Sequence, residues 1–163
     1  MKFENNSLLL QFEDVLGTYN SKKHGMKALS KYHYWFPLRA SPALAGIVAD
    51  LMGDGHVQGG IKLRLDYTSK SKTELRRFGN ELHTLFNIKG KIRDCKTNKY
   101  GTMNYGVNCK PLIRVLKLIG VPSGQKVLTK FSIRELLRVS LCAQPARVLA
   151  RPRTKFLLFI LFL

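Results

Sequence analysis

The residue pattern predicts an α+β domain in the order helix, strand, strand, helix, strand, strand, helix, with the strands forming a twisted antiparallel sheet. Three observations predict it. Apolar residues recur at helical spacing in three segments, each with its own start signal. Between these segments, two stretches alternate apolar and polar residues with period two, each broken by turn residues. A sheet of such strands has one apolar face, which the helices must cover, and one polar face left open.

The first helix starts at Ser41, a good N-cap, with Pro42 at the position where a missing N–H costs nothing, and it ends at Gly53 to Gly55. At 3.6 residues per turn, Pro42, Ala45, Gly46, Ala49 and Gly53 share one face, and Leu44, Ile47, Val48 and Leu51 the opposite one. The large side chains suit the domain's own core. The small-residue stripe lets a second backbone come close, so Gly46, Ala49 and Gly53 are expected to meet their counterparts in a second copy. An ordinary core helix is the plainer reading of the same segment.

After the helix, Ile61, Leu63, Leu65 and Tyr67 alternate with Lys62, Arg64, Asp66 and Thr68, and Gly59 with Gly60 suits a tight turn back to His56–Gln58. Ser71 and Glu74 form a capping-box signature ahead of Leu75, Phe78, Leu82 and Leu85. A second hairpin follows. In it Lys89, Lys91 and Arg93 alternate with Ile88, Gly90 and Ile92, Met103, Tyr105 and Val107 alternate with polar neighbours, and the tip carries Lys96 and Lys99. Pro111 opens the third helix, striped by Leu112, Val115, Leu116 and Ile119 and closed by Gly120 and Pro122.

Flanking this domain, taken as residues 41–131, are an N-terminal extension, 1–40, and a tail, 132–163, to which the sequence assigns no role. The extension has a short helix near Lys22–Lys31 and an aromatic cluster, Tyr32, Tyr34, Trp35 and Phe36. A lid over the core is the preferred reading of the cluster, and stacking on bases is the other.

The chain has 163 residues, with 28 Lys and Arg against 10 acids, for a formal charge of +18. Such an excess suits a chain that neutralises phosphates. At 45% apolar residues the chain is too hydrophobic for a disordered basic arm. Cys95, Cys109 and Cys142 lack the spacing of a zinc site, a secretory signal core is missing, and the apolar end 156–163 covers only about 12 Å of helix against a bilayer core of about 30 Å. A cytoplasmic protein with no membrane partner is therefore expected.

Asp54 does not fit a purely structural account. A carboxylate at the C-terminal end of an apolar helix opposes the helix dipole by a few tenths to about 1 kcal/mol. If the small stripe packs on its own copy, two Asp54 carboxylates converge and call for a cation between them, and a divalent metal with oxygen ligands meets that need.

The segment SPALAGIVADLMGDGH, with Gly53, Asp54, Gly55 and His56 as its GDGH end, resembles the motif of LAGLIDADG homing endonucleases in the single-motif form found in archaeal introns and inteins. The element order from Ser41 to Lys126 is also that of this family. Met52 departs from the pattern, standing where the family has a second acid, while Asp50 lies one turn before Asp54. The resemblance implies a homodimer that cuts both strands of double-stranded DNA across the minor groove and leaves 3′ overhangs. It gives Asp54 and the main-chain carbonyl of Gly53 to Mg²⁺ and, by position in the loop after the third helix, a catalytic role to Lys126, for which a phosphate contact is the alternative. It also makes the sheet a DNA-binding saddle, with Gln58, Lys62, Arg64, Lys89, Lys91, Arg93 and Asn104 on or beside its open face and Lys96 and Lys99 at its rim. Arg and Lys suit guanine there, and Gln and Asn suit adenine. Two other functions share the fold: an RNA-binding maturase that assists intron splicing, and a DNA-binding protein that does not cut. Neither requires Asp54.

Overall fold

Serine hydroxyls start the two longest helices among the described residues: Ser41 Oγ accepts the Leu44 N–H at 3.2 Å, and Ser71 Oγ accepts the Glu74 N–H at 3.3 Å. The computed structural model describes residues 7–60, 63–94 and 100–124. The expectations for Lys62, Lys96, Lys99 and Lys126, for Cys95 and Cys142, and for the tail 132–163 lie outside the described residues.

The extension contributes β1 (Leu8–Leu10), α1 (Phe12–Leu16), α2 (Lys22–Leu29), a 3-10 turn (Ser30–Trp35) and β2 (Leu38–Arg39). Then come α3 (Pro42–Gly53), β3 (Gly55–Gln58), β4 (Arg64–Ser69), α4 (Lys72–Phe86), β5 (Lys91–Asp94), β6 (Met103–Val107) and α5 (Lys110–Leu118). The class is α+β, and from Pro42 onward the elements follow the expected order. β1 and β2 pair antiparallel, and the other strands form a four-stranded antiparallel sheet in the order β3-β4-β6-β5.

The tight turn expected at Gly59 and Gly60 does not form. Gln58 pairs with Arg64, so the connection is residues 59–63. The segment after α5 lies against this loop: the Gly124 N–H donates to the Val57 carbonyl at 3.2 Å, and Ser123 packs beside Gly59.

Val57, Leu65, Tyr67, Tyr105 and Val107 give the sheet its inner face, and Leu44, Ile47, Leu51, Leu75, Phe78, Leu82, Leu112 and Leu116 cover it from the helices. Each such apolar side chain contributes about 1.5 to 3 kcal/mol by leaving water. Tyr105 sits where α4 and the chain before β5 come closest. A Cβ on Gly79 would lie 2.7 Å from its ring, and the Gly90 N–H donates to its hydroxyl oxygen at 2.7 Å.

The extension shares this core through Leu10, Phe12, Val15, Leu29, Trp35 and Leu38. Trp35 is the lid the sequence suggests: its ring meets Phe86 edge-on at 5.2 Å and its Nε1–H donates to the Phe86 carbonyl at 2.9 Å. Arg114 of α5 donates to Thr18 and stacks on the Tyr19 ring at 4.0 Å, tying the extension to the third helix. Among the described residues, no helix is long and apolar enough to cross a membrane.

Candidate functional site

The end of α3 is fixed from both sides. The Asp54 N–H donates to the Asp50 carbonyl at 3.1 Å, closing the helix, and the Asp54 carbonyl accepts the Thr68 N–H at 3.2 Å, joining that end to β4. Gly55 lets β3 begin at once, since a Cβ there would lie 2.7 Å from Leu51 Cδ2. The backbone of Asp54 is thus held while its side chain is exposed. Gly53 beside it is exposed too, and a Cβ there would meet nothing within 4 Å. One exposed carboxylate on a fixed backbone is a donor set that Mg²⁺ accepts, because that ion commonly takes one or two carboxylates and completes its shell with water and phosphate oxygens. Among the described residues no group of three or more His, Cys, Asp or Glu side chains converges.

The small-residue face of α3 is divided. Pro42, Ala49 and Gly53 are exposed, whereas Ala45 belongs to the core and Gly46 is half-buried against α4, with its missing Cβ 3.5 Å from Glu81 Oε2. The expected stripe is therefore open along Pro42, Ala49 and Gly53 and bordered by α4 at Gly46.

Asp50, one turn before Asp54, faces the same neighbour. Its carboxylate accepts from Arg77 Nη2 at 2.6 Å, and Arg77 Nη1 reaches Glu81 at 2.8 Å. Burial works against the Arg77 cation, but the hydrogen bond and charge of Asp50, followed by those of Glu81, outweigh it and raise its pKa. The two acids of α3 are thus separated: Asp50 is spent on an intrachain network and Asp54 stands in the open. The sequence shows the i,i+4 pair Arg77–Glu81 on one face of α4, but Asp50 joins it only through packing, 27 residues away in the chain.

On the outer face of the sheet, register brings His56, Asp66, Gly106 and Lys91 into one row, and Thr68, Asn104 and Arg93 into the next. Lys91 and Arg93 are exposed, and Gln58 and Asn104 are half-buried, with Asn104 Oδ1 lacking a hydrogen-bond partner. Arg64 is engaged. Its Nε donates to Asp66 Oδ1 at 2.8 Å and its Nη2 lies 2.7 Å from the same oxygen, over Gly106, where a side chain would collide with it. Lys89 precedes β5, where it lines a cleft with Lys31. The face is thus basic at Lys91 and Arg93 and neutralised at its centre. Compared with models of known protein families and with curated proteins, the chain matches none.

Proposed function

We propose that this protein is a site-specific endonuclease that cuts double-stranded DNA as a homodimer with a divalent metal such as Mg²⁺. The observation that carries the reading is the exposed Asp54 carboxylate at the end of the open stripe Pro42, Ala49 and Gly53. Stability does not account for an unneutralised acid at a helix C-terminus, and the small residues beside it leave space for a second α3.

In the dimer each α3 brings one Asp54 to the symmetry axis, where Asp54 with the Gly53 carbonyl would hold the metal. When bound, the metal activates water and offsets charge at the phosphorus. Water oxygen bonds to phosphorus and gives up a proton to solvent as the P–O3′ bond breaks, and the departing 3′ oxygen takes up a proton from solvent. The four-stranded sheet then lies on the duplex as a saddle, Lys91 and Arg93 holding phosphates or guanine edges and Gln58 and Asn104 suiting adenine. Arg64, fixed by Asp66, presents a guanidinium of set direction rather than a mobile cation.

The test is Asp54→Asn, incubated with duplex carrying the intron-less insertion site and Mg²⁺. Duplex binding should persist while cleavage falls by several orders of magnitude, because the variant keeps the shape and removes the charge that holds the metal. Unchanged cleavage would overturn the mechanism. Splicing assistance that survives Asp54→Asn would point to the maturase reading.

A further inference from the structure

A polar cleft of about 460 Å³ opens where the 3-10 turn of the extension meets the starts of β5 and α5. Lys31 and Tyr34 come from the turn, Asn87 and Lys89 from the connection between α4 and β5, and Asn108 from the connection between β6 and α5. Among the described residues, no acidic side chain lines it. The volume lies in the range of small-ligand sites, about 300 to 1,000 Å³.

Tyr34 is the unusual member. Its side chain is 59% exposed, yet its hydroxyl donates to the Phe86 carbonyl at 3.1 Å and its ring stands edge-on to the buried Trp35. Exposed aromatic rings ordinarily keep their rotamer freedom and lose it on binding; this one is already fixed with its surface open. Lys31 is placed as well, with its ammonium 4.7 Å over the Tyr32 ring. α5 begins at the cleft, its N-cap Cys109 giving no side-chain cap, so the positive end of that dipole adds to the two lysines. The Cys109 thiol instead points to the Tyr32 hydroxyl, 3.6 Å away.

We infer that this cleft holds one unstacked nucleotide of a single-stranded nucleic acid, with Lys31 and Lys89 on its phosphate, Tyr34 stacked on its base, and Asn87 and Asn108 at its polar edge. A paired base offers no free face to Tyr34, because both its faces are stacked on neighbours; an unpaired one does. The site goes beyond the endonuclease reading and makes no use of Asp54.

Fluorescence anisotropy with a labelled single-stranded oligonucleotide tests it on the full chain, in one deoxyribose and one ribose arm that identify the preferred strand. Tyr34→Ala should weaken binding roughly five- to a hundredfold, whereas Tyr34→Phe, which keeps the ring and its contact with Trp35 but loses the tether to Phe86, should lose clearly less. Lys31→Ala combined with Lys89→Ala should make the log–log salt dependence shallower by about 1.4. Blunt duplex binding and its cleavage should be unaffected by Tyr34→Ala, and the fold should hold, because Trp35 Nε1 still occupies the Phe86 carbonyl. Wild-type affinity in Tyr34→Ala, equal losses in the Ala and Phe variants, or an unchanged salt dependence in the double lysine variant would overturn the proposal. So would a free nucleoside monophosphate that displaces the oligonucleotide at equal nucleotide concentration. Because the readout is single-strand binding, failure of the cleavage assay leaves it separately decided.

Discussion

Asp50 and Asp54 sit one turn apart on α3, and their surroundings give opposite expectations for the same chemical change. Asp50 is 10% exposed and meets Arg77, itself 33% exposed, so Asp50→Asn strips the guanidinium of its nearest charge. Allowing for that partial exposure, the loss should be about 1 to 2 kcal/mol, seen as a lower midpoint in thermal or urea unfolding. Asp54→Asn removes a charge that opposes the helix dipole, so its midpoint should stay level or rise slightly. Equal destabilisation by the two variants would contradict the division of roles.

At the scale of elements, the packing of α4 on the sheet depends on Tyr105 fitting beside Gly79 and Gly90. In an open helix Gly→Ala adds up to about 1 kcal/mol of stability. Gly79→Ala should instead destabilise, because its Cβ would lie 2.7 Å from a ring that the Gly90 N–H holds in place. A calorimetric midpoint above wild type would show that the ring gives way easily. The open stripe of α3 allows a cleaner assembly test. Ala49 is exposed, so Ala49→Leu should leave the monomer fold unchanged while blocking close approach of a second α3. Sedimentation should then find monomers without cleavage, and a fully active Ala49→Leu dimer would mean that the stripe is not the contact.

For the whole molecule, charge and pH set the expectations. With a formal charge of +18, duplex binding should be steeply salt-dependent. Arg93→Ala should weaken it by about 1 to 3 kcal/mol if the contact to guanine is bidentate, with relaxed base preference at that position. Equal weakening on every sequence in a binding-site selection would mark Arg93 as a phosphate contact instead. Tyr19 and Tyr32 sit at the seam between the extension and the rest, and burial, the largest cause for each, raises their hydroxyls above the ordinary 10.0. Groups whose folded pKa is raised stabilise fully below the unfolded value and lose that contribution as pH rises through the folded one. Denaturant midpoints should therefore fall above about pH 10, and Tyr19→Phe, which removes one of the two hydroxyls, should flatten that decline.

The helices and strands from Pro42 to Leu118 were legible in the sequence because each is long enough for its period to show and carries a local start or stop: Ser41 with Pro42, Ser71 with Glu74, Pro111 before Gly120. The exposed Asp54 was legible for the same reason, as an acid where the local dipole disfavours one. The elements β1, α1 and β2 are too short to show a period, and only the pairing of β1 with β2 and the packing of Leu10, Phe12, Val15 and Leu38 into the core make them structure. The five-residue connection 59–63, where Gly59 and Gly60 suggested a tight turn, shows only in the register of β3 on β4. Pairing of Asp50 with Arg77 across 27 residues and the fixing of Tyr34 by Phe86 likewise came only from the tertiary structure. Periodicity records which face a residue takes. Which charges meet across that face depends on how the elements pack, and no single segment encodes it.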